Sequence, residues 1–155
     1  MINDNLTSND IKAVNILHKA FLGAQLVFAA IAFGLVYNGF PHNQTLEKPL
    51  QLISVLFSIG AFIAGNQIFK KRLETIREMQ DTTRAKFEIY RAACITQWSL
   101  LQGASMFSII SFLLTGDYAF LYLAGALILT FGMLSPSKTK TIYDLQLSDE
   151  EAAGL

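Results

Sequence analysis

Apolar and polar positions alternate in blocks along this chain rather than residue by residue. From position 49 to 114 it reads PLQLISVLFSIGAFIAGNQIF, then KKRLETIREMQDTTRAKFEIYR, then AACITQWSLLQGASMFSIISFLL. Two apolar runs of membrane-spanning length flank a charged segment, the pattern of a helical hairpin crossing a bilayer with its tip in water. One further apolar run lies on each side, so four spans are predicted: about 20–40, 50–69, 92–114 and 118–134. A run of twenty residues at about 1.5 Å rise covers about 30 Å, the thickness of the hydrocarbon core. The fourth run, at 17 residues, is at the lower limit.

The boundaries follow from local chemistry. Asp10 is a candidate helix start, with Ile11, Val14, Leu17 and Phe21 at helical spacing after it. Lys12, His18 and Lys19 precede the first span. Positive residues before an apolar stretch, with Ala30-Ile31-Ala32 as a small-residue pattern, are also the marks of a cleaved signal peptide. The apolar run continues to Val36 and Tyr37 and three more follow, so retention is expected. Gly39, Pro41, His42 and Asn43 form a loop, and Pro49 suits an early helix position, where its missing N–H costs nothing. No Gly or Pro interrupts residues 70–80, and Glu74 lies one turn from Lys70, Lys71 or Arg77. The second helix is therefore expected to run about two turns beyond Phe69. Asp81-Thr82-Thr83 is the natural break, Thr115-Gly116-Asp117 a tight turn and Pro136 a stop. The predicted fold is all-α: a transmembrane four-helix bundle of two helical hairpins over residues 1–135, with the second and third helices extended into the cytoplasm and a cytoplasmic tail at 136–155. In that tail Ile142, Leu145 and Leu147 suggest an amphipathic turn or two, and Ser148 with Glu151 suggests a capping box.

Composition supports the membrane class. Hydrophobic residues make up 52% and charged residues 15%, against about 25% charged in soluble domains. A soluble four-helix bundle would need a polar stripe on every helix, and 50–69 and 118–134 have almost none. Net charge is zero but clustered. Seven of the twelve basic residues lie at 70–91, Lys12 and Lys19 precede the first span, Lys138 and Lys140 follow the last, and only Lys48 falls on the other side. Because basic residues collect on the cytoplasmic face, both termini and the charged tip are expected inside. Tyr37, Phe40, Tyr118 and Tyr122 fit an outer aromatic belt, with Tyr90 and Trp98 near the inner one. The bacterial inner membrane is the expected location, the bilayer is the first partner, and a second copy or another membrane protein is the next. No polybasic tail points to nucleic acid.

Candidate chemistry is sparse. Ser54, Ser58, Ala61 and Gly65 share one face of the second span, beside Gly60 and Ala64. The third offers Ser99, Gly103, Ala104 and Ser111, and the fourth Gly125 and Gly132. Small residues of this kind let helices approach closely. Gln25, Gln97 and Gln102 lie within spans, with Asn66 and Gln67 near the inner end of the second. Counting rise from Leu17, Phe69 and Arg91, Gln25 is about 12 Å deep, Gln97 about 9 Å, Gln102 about 16 Å and Asn66 within about 5 Å. Gln25, Asn66, Gln97 and Gln102 are thus candidates for an intramembrane polar cluster, either packing glue or a polar ligand or ion site. No Asp, Glu, Lys or Arg lies in the core of any span, and there is no intramembrane His, Ser/His/Asp set or carboxylate pair. The single cysteine, Cys94, is expected to be a buried inert thiol, and His18 and His42 fall on opposite sides. Neither metal nor cofactor nor enzymatic activity is expected.

Two resemblances accompany this reading. Lys86 with Tyr90-Arg91, the stretch Trp98-Ser99-Leu100-Leu101-Gln102-Gly103-Ala104, then Leu113-Leu114-Thr115-Gly116, and the tail residues Pro136-Ser137-Lys138 and Asp144-Leu145-Gln146-Leu147-Ser148 together resemble a group of small four-span bacterial membrane proteins of unknown function. That resemblance implies the fold and no activity. The hairpin 56–114 is also similar to the proteolipid c subunit of rotary ATPases, in which a basic loop joins two small-residue-rich spans and the second bears an essential carboxylate. Gln102 stands in the comparable stretch here, and an amide does not take up and release a proton in this range.

Overall fold

The computed structural model describes residues 7–147. Among them the chain is all helical: α1 Ser8–Tyr37, a 3-10 turn at Gln44–Leu46, α2 Glu47–Glu78, α3 Thr83–Thr115, α4 Tyr118–Met133 and α5 Lys138–Leu145. The tail's suggested box at Ser148 and Glu151 lies outside the described residues. Three helices (α1, α2 with its preceding turn, and α3) are long and apolar enough to cross a membrane, and a fourth crossing arises if α4 and α5, bent by 72°, are taken as one span. Alone, the 16 residues of α4 reach about 24 Å.

Local signals set the ends of these helices. The helix starts three residues earlier than expected: the Asp10 carboxylate takes the backbone N–H of Thr7 at 3.0 Å and the Thr7 hydroxyl at 2.7 Å, so Thr7 is the cap and Asp10 the third helical residue. α2 continues to Glu78, beyond its apolar run, and Thr82 caps α3 by accepting from the N–H of Ala85. Gly116 ends α3 with φ of 73°, a left-handed conformation that favours glycine, and the ring of His42 lies 3.1 Å from where its Cβ would be, so a side chain there would also crowd His42. Asp117 caps α4 through the N–H of Ala119 and also accepts from Gln51 Nε2 at 2.7 Å, which ties the start of α2 to the α3–α4 turn.

The helices alternate in direction, and α3 is the hub. α2 packs antiparallel along it, from Ser54 opposite Ser111 to Phe69 against Tyr90. α1 and α4 pack on α3 from elsewhere around its circumference. Half of the apolar window of α3 is buried in protein, against 11% for α1 and 22% for α2. The buried residues of α2 are Ser54, Ser58, Ala61, Gly65 and Ile76, so the small-residue stripe faces α3, as its spacing suggests. On α3 the packing face is a different one: Ser99 and Gly103 are exposed, while Trp98, Leu101, Ala104, Ser105, Ser108 and Phe112 are buried. A Cβ added at Gly103, Gly125 or Gly132 would meet nothing within 4 Å, so none of these glycines is held by close helix approach.

The charged hairpin tip is not a bare pair of helices. α5 folds back on α2 and α3, and its Leu145 joins Ile76, Phe87 and Tyr90 in the same core as Trp98 and Phe131. Residues 138–145 therefore pack with the long apolar helices rather than trailing from them. Trp98 and Tyr90, each 1% exposed, face inward instead of forming a belt.

Candidate functional site

The polar side chains buried within the helices form small, separate groups strung along α3. Nearest the hairpin tip, Gln97 Nε2 donates to Asn66 Oδ1 at 2.7 Å, joining α3 to α2. Gly65 lies against this pair: a Cβ there would sit 3.4 Å from Gln97 Cγ, in ordinary contact, which leaves no space for a longer side chain. Eight residues further along α3, Ser105 Oγ donates to Gln25 Oε1 at 2.9 Å, joining α3 to α1. Both Gln25 and Ser105 are fully buried. Eight residues at about 1.5 Å separate the two pairs by about 12 Å along α3. The single polar level expected from depth resolves into two, because α1 registers on α3 further from the tip than counting from Leu17 implies. Gln102 is half-buried and makes no side-chain hydrogen bond to a described residue.

A third group escaped sequence reasoning. His18, placed by its neighbouring lysines before the first span, is 1% exposed. Its ring stacks on Phe131 with centroids 4.5 Å apart and meets Trp98 edge-on at 4.8 Å. Its Nε2–H donates to the carbonyl of Phe131 at 3.0 Å, and a carbonyl only accepts, so the proton of the neutral ring is on Nε2. One turn earlier Asn15 Nδ2 donates to the carbonyl of Pro136 at 2.8 Å. Asn15 and His18, three residues apart on one face of α1, thus tie α1 to the last turn of α4 and to the loop that follows it, and the Phe131 carbonyl also accepts from the N–H of Leu134. A signal was present: Ile11, His18, Gln25 and Ala32 are all buried, and all are seven apart, close to two helical turns.

The fourth group lies where α5 docks. Tyr90 Oη donates to Asp144 Oδ2 at 3.3 Å, and Asp144 is only 7% exposed. α5 lies outside the apolar segments, and there burial raises the Asp144 carboxyl above its ordinary range, with Lys140, the Tyr90 bond and Arg77 opposing the shift. Thr141, one turn before Asp144, is 1% exposed. Cys94 is buried one turn along from Tyr90. Among the described residues no three His, Cys, Asp or Glu side chains gather closely enough to hold a metal ion.

Each paired group joins two parts of the fold: α2 with α3, α1 with α3, α1 with the end of α4, and α3 with α5. Fold and polar groups together define a class: an all-helical protein with three or four helices apolar enough to cross a membrane, whose buried polar side chains fasten helix to helix. Comparison with known proteins finds no family model, no curated protein and no solved structure that matches this chain.

Proposed function

We propose that the chain is a non-enzymatic integral protein of the bacterial inner membrane, acting as a structural or interaction subunit. The observation that carries this reading is that Gln25, Asn66 and Gln97 bond across helix pairs, the arrangement of fasteners rather than of a ligand cage. In hydrocarbon an amide needs a partner, and such bonds contribute about 1 kcal/mol each. The basic residues at 70–91, with those before α1 and after α4, support cytoplasmic termini and a cytoplasmic tip. The α2–α3 tip with α5 packed against it then presents a firm surface to a second copy or to another membrane protein. A photo-reactive residue at Gln80, which is exposed, tests this in native membranes: one discrete adduct supports a partner, and its absence under conditions that label lipid removes the interaction role.

A second reading is a small transporter or channel component. Gln102, half-buried without a side-chain partner, and the bare Nε2 of Gln25 favour it. Solute or ion flux in liposomes that is abolished by Gln102→Leu would establish this reading and displace the first.

A further inference from the structure

α5 covers one face of the α2–α3 hairpin and leaves another open. On the open face lies a groove of about 750 Å³. Its α2 wall is Ile68, Lys71, Arg72 and Thr75, which follow one another at helical spacing. Its α3 wall is built on small residues, Ala92, Ala93 and Thr96, with Ile89 and Glu88 toward the tip. Because the helices are antiparallel, Ile68 lies toward Ala92 and Thr96, while Thr75 lies toward Glu88. The groove is therefore apolar at the end nearest the spans and cationic at Lys71 and Arg72 in its middle, with Thr75 and Glu88 closing it toward the tip. Glu88 is its one carboxylate, and Arg91 pairs with it at 3.6 Å. Neither Lys71 nor Arg72 makes an ion pair or side-chain hydrogen bond with a described residue.

We infer that this groove seats an anionic phospholipid of the surrounding bilayer, its phosphate on Lys71 and Arg72 and an acyl chain along Ile68, Ala92 and Thr96. Two observations select this occupant. The order of chemistry along the groove, apolar then cationic, is the order of chain and headgroup in a lipid. It also lies where α2 passes from its apolar run to its charged segment, the depth at which lipid phosphates sit. Basic pockets between spanning helices on the cytoplasmic side hold anionic headgroups in this way. The inference rests on the membrane reading above.

The test uses the full chain in nanodiscs containing equal phosphatidylglycerol and phosphatidylcholine, with retained lipids counted by native mass spectrometry. The wild-type chain is expected to retain phosphatidylglycerol in excess. A basic side chain near an anionic surface contributes ~1 kcal/mol, about a fivefold factor, so Lys71→Gln/Arg72→Gln should lower that excess at least fivefold. Ala92→Phe keeps both charges but fills the groove, and should lose the preference too. Lys70→Gln/Lys86→Gln removes equal charge from the same hairpin and should keep it. A preference that survives in Ala92→Phe, or falls equally in the Lys70/Lys86 variant, means diffuse surface attraction and overturns the site. Competition by soluble glycerol phosphate at the same concentration as the lipid overturns the lipid as occupant. Release of the chain from membranes by alkaline carbonate overturns the membrane reading and the site together. A carbonate-resistant chain with equal retention of both lipids overturns the site alone.

Discussion

Gln97 shows what a single side chain does in this interior. Its amide has one described partner, Asn66, and Gly65 packs beside it, where a Cβ would lie 3.4 Å from Gln97 Cγ. Replacing Gln97 with Leu leaves the Asn66 carbonyl oxygen without a donor in an apolar setting. We expect a loss of about 1–2 kcal/mol in unfolding from mixed micelles. Asn66→Leu together with Gln97→Leu should cost less than the two singles summed, by about 1 kcal/mol, because the pair is removed as a unit. Additive losses would mean that the bond is not formed. Gly65 offers an independent check on the same contact. A Cβ at 3.4 Å is ordinary contact, so Gly65→Ala should change stability by less than ~0.5 kcal/mol, whereas Gly65→Leu overpacks the crossing and should cost about 1–3 kcal/mol. At Gly103, where a Cβ meets nothing, even the larger residue should be tolerated.

Among the elements, α5 is the one whose docking depends on pH. Burial raises the Asp144 carboxyl above its unfolded value of 3.8. A group whose pKa is raised on folding favours the docked state fully below the unfolded pKa, and that contribution is lost as pH rises through the docked pKa. Docking of α5 should therefore be tightest below the unfolded value of 3.8 and loosen as pH rises through the docked pKa. A spin label at Tyr143, which is 75% exposed, reads this directly. Its mobile fraction should rise as pH climbs above the unfolded value in the native background and stay flat in Asp144→Asn. A flat profile in the native background would show that Lys140 and Arg77 offset the burial. Leu145, 2% exposed, holds the same element by packing. Leu145→Ala should raise the mobile fraction at every pH, since truncating a buried Leu costs about 2–5 kcal/mol.

At the scale of the whole molecule, α3 is a central post on which the others lean, and α1 and α2 expose most of their apolar length. That asymmetry suits a chain whose remaining apolar surface is covered by lipid or by a partner. Its orientation is testable with cysteine labelling, because the native thiol is shielded: Cys94 is 4% exposed. An impermeant maleimide should leave the native chain unlabelled in intact cells. It should label Asn43→Cys from outside, and Gln80→Cys only after the membrane is opened. The opposite pattern would invert the topology drawn from the basic residues.

Much of this architecture was legible from residue order alone, and the reason is locality. Helix length, the break at residues 79–82, the glycine stop at 116 and the extension of α2 past its apolar run each depend on residues within a turn or two of one another. The buried stripe of α2 could be read for the same reason, since spacing alone puts Ser54, Ser58, Ala61 and Gly65 on one face. What spacing cannot supply is register between helices far apart in sequence. Ser105 rather than Gln97 meets Gln25 because of how far α1 slides along α3. His18 counted as interfacial beside its lysines, yet the end of α4, 113 residues away, provides both a carbonyl for its Nε2 and a ring for its face. Asp144 reads as a tail residue until α5 turns back onto Tyr90. Sequence determined the helices and their charged and apolar ends. Only the tertiary structure decided which polar side chains those helices share, because a partner is a property of two segments and periodicity is a property of one.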